Sequence, residues 1–367
     1  MKIALVSSGI GAYGEKNYYN VQEFGLAKAM SKYFDEVIVY KYVNKAAEAE
    51  VESNDNVTIN KIPTYSIGVN GYIDTKKLDP SIDVLVCFSD TQLSVPGVYR
   101  WAKKNNVRFY PYIGTIKSHS ENKLVKFIIN FLFNRNLSIF KKNYCFIKTP
   151  TLQKELQQLN VKQSQVIPVG IDIDKLNQDY NYIDKDQLLK KYKFNITDKV
   201  ILFIGRMVPE KEPLKIVEIF NKLRLENPNY KLMMIGTGEL ESAVDELISK
   251  LDLKEHVIRI NKIMNNVIWE IYRLSDTFIN LNKREIFGMA ILEAMFYECK
   301  VVAWSAPGPN SILKHGHDGY LVDSESDVIK FTLLNDEELI GKNAHDSILN
   351  RFTWDNSARL IYEKIMS

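Results

Sequence analysis

Cysteine and net charge are both scarce in this sequence. Only three cysteines occur among 367 residues, and the formal net charge is +3. Cys87, Cys145 and Cys299 lie far apart in apolar surroundings, without a C-x-x-C pair or a metal-binding spacing, so we expect buried free thiols in a reducing compartment. A nearly neutral chain also gives no reason to expect a nucleic-acid partner.

Long hydrophobic runs are absent as well. No window of about 20 apolar residues occurs, so the sequence predicts no membrane-spanning helix. The N-terminal segment Met1–Ser7 resembles a short strand, because its apolar run is too brief for a signal peptide and no cleavage region follows. These patterns predict a cytoplasmic protein.

The chain length and the alternation of apolar segments indicate an α/β architecture. A chain of 367 residues suits two domains. Strands such as Lys2–Val6 and Val200–Ile204 alternate with helical segments in both halves, which is typical of parallel sheets. In such sheets, ligands bind at the carboxyl ends of the strands, so we expect the functional site there, in a cleft.

A glycine-rich loop follows the first predicted strand. Gly9, Gly11 and Gly14 form a G-x-G-x-x-G pattern, which also occurs in dinucleotide-binding proteins. Lys41 stands where such proteins carry an acidic residue after the second strand, which argues against that assignment. A loop that faces a phosphate group remains plausible for Gly11 and Gly14.

The most informative segment is Asn280–Lys300. Glu285 and Glu293 flank Phe287 and Gly288 in an E-x7-E spacing, and the pattern predicts a strand, a loop and then a helix that begins near Gly288. The start of a helix offers free N–H groups and the positive end of its dipole, which suits phosphate. The alternative is an ordinary amphipathic helix whose glutamates face solvent.

Two further loops carry chemistry of the same kind. Gly205 and Arg206 directly follow a predicted strand, and Lys211 comes five residues after Arg206. A guanidinium and an ammonium together suit a diphosphate, and the Gly236-x-Gly238 turn after the next strand allows close backbone approach. The alternative is that these cations are ordinary loop charges paired with neighbouring glutamates.

The segment Asn122–Lys142 is apolar around much of its girth and basic at its ends. This composition is typical of an interfacial membrane helix, with Lys123, Lys126, Lys141 and Lys142 facing anionic lipid. A helix that packs into the core and exposes its lysines explains the pattern equally well.

Taken together, these motifs resemble the retaining GT-B glycosyltransferases of family 4, also called glycosyl transferases group 1. The resemblance covers residues 165 to 365 well and the first half more weakly. It is carried by the order and spacing of six stretches: Phe203–Arg206 with Lys211, Ile235–Gly238, Glu285–Met295, Val301–Ala303, Gly308–Asn310 and Gly319–Val322.

The resemblance implies a GT-B fold, in which two Rossmann-like domains face each other across a cleft. It places an acceptor-side domain at 1–172 and a nucleotide-sugar-binding domain at 173–354. The C-terminal helix, 355–367, then crosses back to the first domain.

The resemblance also implies roles for the residues of the donor site. Arg206 and Lys211 hold the donor diphosphate, Glu285 faces the donor sugar, and Glu293 binds the ribose hydroxyls. Whether Glu285 attacks the sugar or only stabilises charge stays open. The implied substrate-binding set further comprises Gly205, Gly236, Gly238, Lys262, Ile263, Phe287, Gly288, Met289 and Ala290, with Lys262 and Ile263 covering the base.

Some family features are altered in this sequence. The paired glycines of the first loop are not cleanly present, and Gly11 and Gly14 are the best candidates. His119 stands slightly later than the histidine that the family often places near the sugar, so it is either catalytic or a surface loop residue.

The implied reaction transfers a sugar from a nucleotide sugar, UDP-linked, to an acceptor hydroxyl with retention of configuration. It needs no metal and no cofactor, and the two D-x-D segments, at 172–174 and 184–186, are better explained as a turn and a surface loop. The expected partners are a lipid-linked or glycan acceptor in cell-surface polysaccharide synthesis and an anionic membrane surface. A nucleotide-sugar epimerase of GT-B fold and a catalytically silent nucleotide-sugar-binding subunit are the alternatives.

Overall fold

The structure, a computed structural model, describes residues 1–9, 22–67, 70–89, 93–116, 123–177, 184–264 and 266–367. Its described residues form two compact units. One comprises residues 1–170 together with 353–367, and the other comprises residues 171–352. The sequence-based division was drawn at 172/173 and 354/355. Gly11, Gly14 and His119 lie outside the described residues.

The strands of the first unit are β1 (Lys2–Ser7), β2 (Glu36–Asn44), β3 (Glu50–Asn54), β4 (Val57–Thr64), β5 (Ser66–Ile67), β6 (Asn70–Gly71), β7 (Val84–Phe88), β8 (Arg108–Ile113), β9 (Cys145–Ile147) and β10 (Ser164–Val166). Eight of them form a mainly parallel sheet in the order β10-β9-β8-β7-β1-β2-β4-β3, in which only β3 runs antiparallel to its neighbour. The other two, β5 and β6, form an antiparallel ribbon. The helices of this unit are α1 (Gln22–Met30), α2 (Val95–Lys104), α3 (Lys123–Phe140) and α4 (Pro150–Gln158).

The strands of the second unit are β11 (Lys199–Ile204), β12 (Tyr230–Ile235), β13 (Val257–Ile260), β14 (Thr277–Asn280), β15 (Lys300–Trp304) and β16 (Tyr320–Val322). They form one sheet in the order β13-β12-β11-β14-β15-β16, in which every pair of neighbours is parallel. The helices of this unit are α5 (Ile173–Asn177), α6 (Lys185–Lys191), α7 (Pro213–Glu226), α8 (Glu241–Lys250), α9 (Ile268–Leu274), α10 (Met289–Phe296), α11 (Pro307–Ile312), α12 (Glu325–Leu333) and α13 (Glu337–Arg351).

The C-terminal helix α14 (Trp354–Met366) belongs to the first unit, where it packs on α1. Tyr362 stacks on Tyr33 with ring centroids 5.2 Å apart and meets the edge of Phe34 at 5.6 Å. At Gly25 of α1 any Cβ would overlap the indole of Trp354. The glycine therefore lets the two helices approach closely.

Lys41, the residue that argued against a dinucleotide site, forms a buried ion pair. Its Nζ lies 2.8 Å from a carboxylate oxygen of Glu23, and both side chains are almost fully buried. Burial alone would raise the pKa of Glu23, but the Lys41 ammonium and its hydrogen bond lower the pKa below the ordinary value. This pair therefore joins α1 to the second half of β2 inside the first unit.

Two regions contain elements that we did not predict from the sequence. Strands β3 to β6 occupy residues 50–71, and β16 and α12 lie between residues 320 and 333. Strand β3 lies at the sheet edge and is exposed along nearly its whole length, with Val51 68% exposed. A strand that buries neither face lacks the apolar alternation that a sequence pattern needs.

The three cysteines are free and buried, as predicted, and the reducing compartment stays a prediction. Within the described ranges, every helix is too short or too polar to span a bilayer. Helix α3 is buried on one face and exposes apolar side chains elsewhere, and its contact with a membrane stays a prediction. One face buries Leu132, Phe133 and Phe140, while its first half exposes Leu124, Phe127, Ile128 and Phe131.

Candidate active site

Most of the predicted site residues in the second unit lie at the exits of three neighbouring strands. Strand β11 is flanked in the sheet by β12 on one side and β14 on the other. Since all three strands are parallel, their carboxyl ends share one edge of the sheet. That edge brings together the loops after Ile204, Ile235 and Asn280.

Glu285 is the centre of a polar cluster at this edge. Its Oε2 lies 2.7 Å from Nζ of Lys211 and accepts hydrogen bonds from Nδ2 of Asn282 at 3.2 Å and of Asn280 at 3.4 Å. The Glu285 side chain is 16% exposed and that of Lys211 is 24% exposed. The carboxylate is thus fixed beside a cation while part of it stays accessible to a ligand.

Asn280 and Asn282 were missed by the sequence analysis. Both are buried, and besides contacting Glu285 they shape the loop, because Asn280 Oδ1 accepts the N–H of Asn282 and Asn282 Oδ1 accepts the N–H of Arg284, each at 3.0 Å. The signal in the sequence was the N-L-N motif at the end of β14. Asparagines at strand ends are usually turn residues, so the motif did not indicate a second role.

Gly288 takes the left-handed conformation, with φ of 100° and ψ of 67°, and α10 begins at the next residue. This conformation is readily available only to glycine. The amides of Met289 and Ala290, in the first turn, have no intrahelical acceptors. Phe287 is buried before them, and its backbone contacts Gly308 so closely that no Cβ would fit there. The predicted helix start at Gly288 is confirmed, and it is suited to an anion.

Arg206 and Lys211 lie on the loop that follows β11. Arg206 is exposed. Among the residues that the structure describes, its guanidinium has no carboxylate partner. The loop therefore offers one cation that pairs with Glu285 and one that faces solvent at the same sheet edge.

The glycines at the β11 and β12 exits are required by packing. A Cβ on Gly236, whose φ is 134°, would overlap the carbonyl oxygen of Gly205, and a Cβ on Gly238 would lie 2.5 Å from the carbonyl oxygen of Met207. The two loops thus pass each other at backbone distance. This packing explains Gly236 and Gly238 without a ligand, so close approach to a ligand stays a prediction.

Glu293 lies on α10 and is half-buried. One of its carboxylate oxygens accepts a hydrogen bond of 2.8 Å from the phenol of Tyr272, whose pKa is raised well above its ordinary value by burial and by the charge of Glu293. Tyr272 therefore stays a donor and orients the carboxylate. Lys262 and Ile263 follow β13, the neighbour of β12, where Lys262 is exposed and Ile263 is half-buried.

Comparison with known proteins agrees with the resemblance seen in the sequence. Residues 184–338 match the family described as glycosyl transferases group 1. N-acetyl-alpha-D-glucosaminyl L-malate synthase of Bacillus anthracis is 29% identical over 188 residues, which are 47% of this chain and 49% of the relative. UDP-Gal:alpha-D-GlcNAc-diphosphoundecaprenol alpha-1,3-galactosyltransferase of Escherichia coli is 27% identical over 197 residues, 51% of this chain and 50% of the relative. The chain thus spans about half the length of these curated relatives.

Solved structures resemble the whole chain. Sucrose-phosphate synthase of Thermosynechococcus elongatus matches with a TM-score of 0.75 at 15% identity, and the match covers 100% of this chain and 98% of the synthase chain. The Anabaena protein HepE, solved with UDP and glucose, has a TM-score of 0.70 at 16% identity and covers 100% of both chains. The predicted α/β fold of GT-B type is confirmed.

Proposed function

We propose that this protein is a glycosyltransferase that transfers a sugar from a UDP-sugar to an acceptor hydroxyl and retains the configuration of the anomeric carbon. The observation that carries the proposal is the cluster of Glu285, Lys211 and the start of helix α10 at Gly288. In it a carboxylate, a cation and the N-terminal end of a helix meet at one sheet edge. The match of residues 184–338 to glycosyl transferases group 1 supports it.

Transfer of a sugar from a diphosphate requires positive groups beside the diphosphate and a negative group beside the sugar. As the bond between the anomeric carbon and the phosphate oxygen breaks, its electron pair leaves with the diphosphate and the sugar becomes cationic. Lys211, Arg206 and the first amides of α10 stabilise the negative side, and the carboxylate of Glu285 stabilises the positive side. Glu293, oriented by Tyr272, binds the ribose.

The same cations support a reaction without a metal. Arg206, Lys211 and the helix N-terminus supply the positive charge that a divalent ion would otherwise bring to a diphosphate. The choice of UDP is supported by HepE, which was solved with UDP and glucose, and by the Escherichia coli relative, whose name states a UDP-linked donor.

The acceptor that we propose is a lipid-linked or glycan hydroxyl in cell-surface polysaccharide synthesis, used by a cytoplasmic enzyme at the inner membrane face. The Escherichia coli relative acts on a diphosphoundecaprenol-linked sugar by its name, and another relative, 27% identical over 207 residues, is the capsular polysaccharide glycosyltransferase CapM of Staphylococcus aureus. Helix α3 supports peripheral contact with an anionic membrane. It contains no acidic residue and exposes large apolar side chains beside Lys123 and Lys126.

A thermal-shift screen with UDP-, GDP- and ADP-sugars tests the donor assignment. A ligand present at 100 times its Kd stabilises the folded state by about 2.7 kcal/mol, so the correct donor raises Tm measurably. We expect UDP-sugars to give the largest shift and Lys211→Ala to reduce it. Equal shifts with all three bases, or none, would contradict the proposal.

A product assay distinguishes transfer from the two alternatives. Incubation with donor alone yields an isomerised nucleotide sugar if the protein is an epimerase. A silent binding subunit binds donor but leaves it unchanged across a panel of acceptors. We expect UDP release that depends on an acceptor, with the α-configuration of the donor retained in the product.

A further inference from the structure

A cleft of about 1020 Å³ opens on the first unit and shares no lining residue with the site just described. It is lined by one face of α2, by Arg135 of α3 and by six residues of the segment between β6 and β7, including Tyr72 and Lys76. Its described lining contains four cationic side chains, Lys76, Arg100, Lys104 and Arg135, and no carboxylate. Such a concentration of one sign attracts anions.

Three of these cations are available to a ligand. Lys76, Arg100 and Lys104 are exposed, and among the described residues none of them forms an ion pair. Arg100 donates from Nε to the carbonyl oxygen of Pro96 at 3.3 Å, which holds its guanidinium against the helix. The acidic residue nearest to Lys76 in sequence is Asp74. Its carboxylate accepts a hydrogen bond of 3.1 Å from the backbone N–H of Lys76 and does not pair with the ammonium.

Arg135 is fixed in place at the wall of the cleft. It is half-buried, and its Nη2 donates to the carbonyl oxygen of Leu93 at 2.9 Å and to Oδ1 of the buried Asn136 at 3.0 Å. Burial lowers the pKa of its guanidinium, although an arginine keeps its charge at neutral pH. The cleft thus contains a positioned arginine as well as three exposed cations.

The exposed apolar face of α3 leads directly to this arginine. Leu124, Ile128 and Phe131 are 67%, 46% and 60% exposed. At 3.6 residues per turn, positions 124, 128, 131 and 135 fall on one side of a helix. Phe127, 70% exposed, lies beside them. We call Leu124, Phe127, Ile128 and Phe131 the apolar stripe.

We propose that the cleft between α2 and α3 binds the phosphate of an anionic lipid head group while the apolar stripe enters the boundary of the acyl chains. An amphipathic helix with basic residues beside a large exposed apolar face lies in the membrane interface. A free phosphate would use the cations and leave the stripe exposed, whereas a lipid uses both. The site deepens the membrane contact in the proposed function and does not depend on which sugar is transferred.

Vesicle binding tests the site through the double variant Arg100→Gln/Lys104→Gln. Each cation near an anionic surface contributes about 1 kcal/mol, so we expect its affinity for vesicles of phosphatidylcholine and phosphatidylglycerol at 3:1 to fall about 30-fold. The matched control Lys250→Gln/Lys254→Gln removes two exposed cations of the second unit and should change affinity less than threefold. If both double variants lost the same vesicle affinity, the loss would follow from net charge alone, and the proposed site would be overturned.

Two further measurements separate the sources of phosphate and the possible failures. Phe131→Ser should also weaken vesicle binding, because it removes apolar area from the stripe. Calorimetry with inorganic phosphate should show no submillimolar binding, and tight phosphate binding without vesicle binding would overturn the lipid assignment. Thermal shift with UDP is measured on the wild type and on every variant. If the Arg100→Gln/Lys104→Gln variant shows a normal UDP shift and unchanged vesicle affinity, only this site is refuted. If it loses vesicle affinity but the wild type shows no UDP shift and no donor turnover, only the proposed function is refuted.

Discussion

Replacement of Lys211 by alanine tests the proposed chemistry most directly. The variant removes the ammonium that lies 2.7 Å from Glu285, and it leaves that carboxylate with the amides of Asn280 and Asn282 at 3.4 and 3.2 Å. In the proposed reaction the same ammonium stabilises charge that develops on the leaving diphosphate. Loss of such a group costs about 100- to 1000-fold in kcat.

The cost to folding should be much smaller. Exposed ion pairs contribute up to about 1 kcal/mol, while breaking a buried pair costs about 3–5 kcal/mol. With side-chain exposures of 24% and 16%, the Lys211–Glu285 pair falls between these cases. We expect Lys211→Ala to lower the free energy of unfolding by about 1–2 kcal/mol. The variant then stays folded and its kinetics are interpretable.

The assay is release of UDP at saturating donor, with the UDP-sugar that gives the largest thermal shift. Lys215→Ala is the matched control, because Lys215 is 27% exposed and pairs with Glu325 at 3.4 Å outside the proposed site. We expect the control to keep kcat within about twofold of the wild type. A folded Lys211→Ala variant whose kcat is within about threefold of the wild type would refute the role in leaving-group stabilisation.

Three other predictions concern donor binding, packing and pH. Glu293→Ala should raise the donor Kd at least tenfold, since a hydrogen bond to a charged group contributes about 1.5–3 kcal/mol, and calorimetry with UDP checks it. Gly236→Ala should lower Tm because no Cβ fits there, whereas Gly97→Ala, with nothing within 4 Å, should keep or raise it. Glu23→Gln leaves the Lys41 ammonium buried without its counter-charge and should cost about 3–5 kcal/mol in urea unfolding. Folding lowers the pKa of Glu23 from its ordinary value of 4.5. The stability that the Glu23 carboxylate contributes should therefore be present above pH 4.5 and disappear as the pH falls through the pKa of the folded state.

The sequence predicted the sheets and the strand-end site because both depend on local patterns. Buried parallel strands such as β1 and β11 are nearly continuous apolar runs, and Gly288 directly before an apolar helical segment fixes where α10 starts. Edge strand β3 gave no such signal because its residues remain exposed.

Interactions between residues distant in sequence could not be predicted. Lys211 and Glu285 are 74 positions apart, and Glu23 and Lys41 are 18 apart. The sequence marked Lys211 and Glu285 as separate parts of a donor site, but not as partners of each other. Only the sheet order, which places β14 beside β11, brings them within hydrogen-bond distance.

The contact between Lys211 and Glu285 gives the two buried asparagines a function in the proposed reaction. Without donor, Lys211 neutralises Glu285, so neither charge is exposed without compensation. In the proposed reaction, a diphosphate at the start of α10 would draw the ammonium toward itself, and the carboxylate would then depend on the Nδ2 groups of Asn280 and Asn282 to keep its position. Their own Oδ1 atoms are engaged by backbone N–H groups, so their amide orientation is fixed. The carboxylate would therefore keep its place beside the donor sugar when its negative charge is needed, because donors that do not move with Lys211 would hold it there.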